Sequence, residues 1–127
     1  MDAAKMDAAQ MNAAQTPAQI LLVLTTLPDH ASAEALATEL VTEHLAACVT
    51  ILPAAQSVYR WQDRIELTTE TPVIIKTAAA CYAQLETALR ARHSYELPEI
   101  IAIPIAQGLP DYLAWIARET LTQDTSC

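Results

Sequence analysis

Two stretches of helical spacing, each flanked by short β-prone runs, constrain this chain more than any other feature of its sequence. Residues 20–24 form an apolar run bounded by Thr25-Thr26 and Pro28-Asp29, which predicts a buried first strand. A helix is predicted directly after it: Asp29 or Ser32 can cap it, and Ala33, Leu36, Ala37, Leu40, Val41, His44 and Leu45 recur at three- and four-residue steps. Residues 48–52 are β-prone and Pro53 interrupts them. In 57–61, Tyr59 and Trp61 share one face while Val58 and Arg60 share the other. Gln62-Asp63-Arg64 predicts a tight turn into 65–67; after 68–72 a further strand covers 73–77, with Pro72 suited to its first position. Thr77 is placed to cap a second helix along Ala78, Cys81, Tyr82, Leu85, Ala88 and Leu89, which ends near His93-Ser94 ahead of Pro98. A last strand covers 100–105, where Pro104 argues for an edge or a strand end, and Pro110-Asp111 begins a short helix over 111–120.

The order β-α-β-β-α-β plus a terminal helix predicts an α+β split βαβ sandwich, with two helices on one face of an antiparallel sheet. The other face stays open unless partners cover it. Composition points the same way: 53% of the 127 residues are hydrophobic and 17% charged, so some apolar surface is expected to be covered by copies of the same chain. Residues 1–19 hold a near-repeat, Met1-Asp2-Ala3-Ala4, Met6-Asp7-Ala8-Ala9 and Met11-Asn12-Ala13-Ala14, without a strong apolar face. They are predicted to be a disordered extension, 20–120 the domain, and 121–127 a flexible tail.

The formal charge of −8 and the scatter of the seven basic residues argue against nucleic acid and anionic membranes as partners. The longest apolar run is far too short to span a bilayer, and the N-terminus carries no signal-peptide pattern. Cys48, Cys81 and Cys127 cannot all pair within one chain and form no CxxC site, which predicts free thiols and a cytoplasmic location. A single glycine, Gly108, excludes a glycine-rich phosphate loop. No base–nucleophile pair with an orienting group can be named, so no enzyme is expected.

A few residues remain as candidates for chemistry. His44, on the apolar side of the first helix four residues before Cys48, is either a half-buried helix histidine or, with Cys48, a soft-metal pair. Cys48 is core filler or a redox or copper thiolate; Cys81 is core, and Cys127 an incidental exposed thiol. His93-Ser94-Tyr95-Glu96-Leu97-Pro98-Glu99 is the densest polar stretch, with an imidazole, a phenol and two carboxylates that suit a metal or a small polar ligand. A helix-terminal His93 that only meets the last carbonyls is the plainer alternative. Tyr59 and Trp61 suit a subunit interface or, less readily, a ligand shelf.

Six blocks in order carry a family likeness: Thr25-Thr26 with Pro28-Asp29; Leu45-Ala46-Ala47-Cys48-Val49; Ser57-Val58-Tyr59-Arg60-Trp61; Ile75-Lys76-Thr77; His93 to Ala102; and Pro110-Asp111-Tyr112-Leu113-Ala114-Trp115-Ile116. With them the chain resembles the divalent-cation tolerance protein family, CutA. That resemblance implies a ferredoxin-like fold with an extra C-terminal helix, a tight homotrimer with inward-facing sheets, and tolerance or binding of copper and other divalent cations. It puts metal ligands at Cys48, His93 and Glu99, and further residues of an intersubunit cleft at Lys76, Tyr95, Tyr59 and Trp61. It also leaves room for a small-molecule-sensing regulatory trimer or a protein scaffold. Three positions depart from the family pattern: Ser94 stands for Pro, Asp63 for a turn Gly, and Thr50 for Asn. Ser94 implies a less rigid loop after His93.

Overall fold

The structure, a computed structural model, describes residues 18–121. The expectations for residues 1–17, for 122–127 and for Cys127 lie outside them. Along the chain run β1 (Ile20–Leu27), α1 (His30–Thr42), β2 (Cys48–Ile51), β3 (Ala55–Trp61), β4 (Arg64–Ala78), a 3-10 turn (Ala79–Cys81), α2 (Tyr82–Arg92), β5 (Ile101–Pro104) and α3 (Pro110–Thr120). The strands form an antiparallel sheet in the order β2-β4-β1-β5, with β3 also paired to β4. The predicted α+β sandwich is thus the observed one, with β5 as an edge that ends on Pro104.

Strand alternation decides what is core. Leu21, Val23, Leu27, Val73 and Ile75 face the helices and pack on Leu36 and Leu40 of α1 and Leu85 and Leu89 of α2. Register places Leu22 beside Ile103, Leu24 beside both Ile74 and Ile101, and Thr26 beside Pro72 on the opposite face. That face is not open throughout. A second cluster, with Ile116 packed among Ile20, Ala47 and Ala78, lets α3 close the end where Ile20 pairs with Ala78. Between the two ends the centre stays uncovered: Ile101 is 50% and Ile103 46% exposed. Gly108 leads into α3 because a Cβ there would lie 3.0 Å from the Leu113 side chain.

Three local readings change. β4 is one strand of 15 residues, not two pieces split at 68–72; Pro72 costs it a single N–H while its carbonyl still accepts from Leu52 at 3.0 Å. Thr77 lies inside β4 and its hydroxyl donates to the Leu45 carbonyl at 2.8 Å instead of capping α2. α1 stops at Thr42: His44 turns left-handed (φ 62°), and the N–H groups of His44 and Leu45 return to Val41 and Leu40. This is the bonding pattern of a Schellman stop. Gln62 and Asp63 also take positive φ, 51° and 66°, giving the two-residue hairpin a type I′ turn without glycine. Cys48 is a free thiol, as expected, whereas Cys81 is disulfide-bonded.

Asp29 caps α1 by accepting the Ser32 N–H at 2.8 Å. That backbone bond, then one to the Ser32 side chain, holds its carboxyl below the usual aspartate range. A depressed folded-state pKa stabilises above the unfolded value of about 3.9 and is lost as pH falls through the folded value. Asp29→Ala should therefore lower the melting temperature at pH 7, and the gap to the parent should narrow toward pH 3. Melting curves at the two pH values check this.

Candidate functional site

β3 and the first half of β4 form an arm that runs past the helices. Between the pairs Ile51↔Val73 and Ala55↔Glu70, the β2–β3 chain takes four steps where β4 takes three. This one-residue bulge around Pro53 reverses the side-chain phase. As a result Ser57, Tyr59 and Trp61 share a face with Thr68 and Glu70, while Val58, Ile65 and Leu67 share the other. The first face is the floor of a cleft of about 590 Å³. Its wall is the segment 95–99 between α2 and β5, including Tyr95, Glu96, Leu97 and Glu99.

The wall is pinned by His93. Its Nδ1 accepts the Tyr95 N–H at 3.1 Å, so the proton sits on Nε2, which donates to the Thr26 carbonyl at 2.6 Å. Arg92, just before it, bridges Glu39 of α1 and Glu43 just past that helix's end, and fixes the end of α2. Under the wall lies Glu70, only 8% exposed. One oxygen accepts from Ser57 at 2.7 Å and the other from Thr26 at 3.2 Å. Burial first, then the charge of Glu70 and a hydrogen bond to it, push the Tyr95 phenol above the usual tyrosine range, so it remains a donor at neutral pH. Tyr59 exchanges a hydrogen bond with Thr68 at 3.0 Å.

Of the residues singled out from the sequence, Tyr59, Trp61, Tyr95 and Glu99 line this cleft. Cys48 and Lys76 do not. They pair with one another four β4 residues beyond Pro72, about 13 Å along the strand. There Lys76 Nζ reaches Cys48 Sγ at 3.8 Å and lies 6.0 Å from the centre of the Tyr112 ring, which stacks on Trp115. Within one chain Cys48 is therefore remote from His93 and Glu99, and the described residues hold no group of three His, Cys, Asp or Glu arranged for a metal. His44 is no helix-face residue, since its Nδ1 binds the Glu119 carbonyl at 2.9 Å and ties α3 to the end of α1. Glu70 escaped the sequence reading. Its signal was there, in the alternation of Glu66, Thr68 and Glu70, but residues 68–72 read as a break.

Comparison with known proteins agrees with this architecture. The model of the CutA1 divalent ion tolerance protein family matches residues 21–119. The divalent-cation tolerance protein CutA of Citrobacter koseri is 39% identical over 98 residues, covering 77% of this chain and 85% of the relative. The crystal structure of CutA from Xylella fastidiosa is 50% identical, with a TM-score of 0.77 over 80% of this chain and 97% of that one. The Thermus thermophilus protein is 40% identical, with a TM-score of 0.78 over 80% and 98%. A 38% identical relative from Archaeoglobus fulgidus, described as periplasmic, superposes with a TM-score of 0.74 over 76% and 94%. No helix among the described residues is long and apolar enough to cross a membrane. The chain belongs to the CutA1 divalent ion tolerance family.

Proposed function

We propose that this chain works as a homotrimeric divalent-cation tolerance protein without catalytic activity, binding copper or a related cation where subunits meet. The carrying observation is that the donors Cys48, His93 and Glu99 stand apart in one chain while two apolar surfaces remain uncovered. One is the centre of the sheet face. The other is the outer side of the arm, where Val58, Ile65 and Leu67 are 67%, 64% and 62% exposed. Two different patches on one chain suit a heterologous contact, which closes into a ring. Assembly is then what pools the ligands. His93 joins such a site only by releasing one of its two bonds. A cytoplasmic location is part of the proposal, although the disulfide-bonded Cys81 departs from the free thiols on which it rests, and it is tested by cell fractionation.

Titration with Cu(I) without oxygen and with Cu(II) in air, on the parent, Cys48→Ser, His93→Ala and Glu99→Gln, tests it. The expected result is a fixed ratio per trimer that weakens at least about tenfold when a ligand is lost, with the trimer intact. Equal, weak binding by all four proteins rejects the metal site. A second reading is favoured by the cleft itself. At about 590 Å³ it lies in the range of small-molecule pockets, so the trimer senses a metabolite there.

A further inference from the structure

Glu70 is a buried carboxylate with no lysine or arginine paired to it among the described residues of the chain. Its partners are hydroxyls, those of Ser57, Thr26 and Tyr95, and among the described residues of one chain the cleft it faces is lined by two more carboxylates, Glu96 and Glu99, and by no lysine, arginine or histidine. A charge taken out of water without a counter-charge is costly, and a bound cation removes that cost. Tyr59, Trp61 and Tyr95 line the same cleft, and aromatic rings of this kind attract a positive centre set over them. A bare metal ion suits the place poorly, because no three ligands converge among the described residues and the space far exceeds one ion.

We infer that the cleft binds an organic ammonium compound, its charged nitrogen held by Glu70 and its apolar body laid against Tyr59 and Trp61. The inference rests on the small-molecule reading above and names the class of ligand. Glu70 has acceptor capacity to spare, since a carboxylate offers about four lone-pair sites. Ser57 and Thr26 fix its orientation before any ligand arrives, which limits the ordering that binding requires. Glu96 and Glu99, both exposed, set a negative field at the mouth that draws cations and repels anions. Leu97, 71% exposed at the rim, can close over an apolar ligand body.

Calorimetric titration of the full-length assembled protein with three probes tests this: benzyltrimethylammonium, neutral benzyl alcohol and anionic phenylacetate. The expected result is one benzyltrimethylammonium per chain, bound at least about tenfold more tightly than either other probe. Glu70→Gln keeps one acceptor oxygen and puts an amide N–H2, able to donate to a hydroxyl oxygen, in place of the other, and should weaken the cation about tenfold. The exposed pair Glu96→Gln with Glu99→Gln, which carries no folding risk from burial, should weaken it less and reduce its salt dependence. Trp61→Leu should weaken the cation as well. Tighter binding of phenylacetate or benzyl alcohol leaves a ligand cleft in place and overturns the cationic assignment. Binding of the cation that ignores every substitution is surface association and overturns it too. If no probe binds at millimolar concentration, the small-molecule reading falls with the inference.

Discussion

Ile103→Asp should convert the proposed trimer to single 13.8 kDa chains while leaving each chain folded. Ile103 lies on β5, an edge strand, and is 46% exposed in the lone chain, so a carboxylate there meets water and costs the subunit little. It faces the same way as Leu22, its partner across the strands, and Ile101, in the uncovered centre of the sheet. When copies of the chain cover that centre, each contact must bury an unpaired charge at several kcal/mol, and a ring of three repeats the penalty three times. Sedimentation velocity reads the mass, and circular dichroism reads the retained fold. Ile103→Val, with the same shape less one methyl group, should stay assembled. An Ile103→Asp protein of unchanged mass would show that the sheet face is not the contact.

The uncovered face was legible in the sequence from element order, because the β-α-β-β-α-β string puts two helices on one face of the sheet. The run 20–24, apolar throughout, read only as a buried strand and did not show which of its side chains face the helices. The cleft was legible only in part. Tyr95, Glu96 and Glu99 stand out as a dense polar run, but their neighbour across the cleft is set by register. The bulge at Pro53 decides that Ser57, Tyr59 and Trp61 face Glu70, and nothing in the local pattern around Pro53 fixes one extra residue over none. Pro72 misled in the same region. A proline usually marks a strand start, yet here tertiary pairing with Thr26 on one side and Leu52 on the other carries the strand through. His93 shows a third limit. Its residue type suggests a ligand, while its two bonds to Tyr95 and Thr26 give it a structural task that no spacing reveals.

Neighbouring residues of β4 make a sharper test, because strand geometry sends them to opposite faces. Ile75 is fully buried among α1, α2 and β1. Ile75→Ala should cost about 2–5 kcal/mol, the transfer of its lost methyl groups plus the cavity they leave. That loss belongs to the chain itself and should be the same at every protein concentration below and above assembly. Ile74, one residue earlier, faces the uncovered side opposite Leu24 and is only half-buried. In a lone chain Ile74→Ala should cost under about 1 kcal/mol, since little area is withdrawn from water. In the proposed trimer a neighbouring copy would enclose the same side chain, and its loss should approach the cost at Ile75. Urea unfolding at two protein concentrations, one dilute enough to dissociate the parent, separates the cases. For Ile75→Ala the two losses should agree; for Ile74→Ala the loss should shrink on dilution, because mass action couples folding to assembly. Equal small losses for Ile74→Ala at both concentrations would mean that no copy covers this face, and the metal ligands would then have no subunit boundary at which to meet.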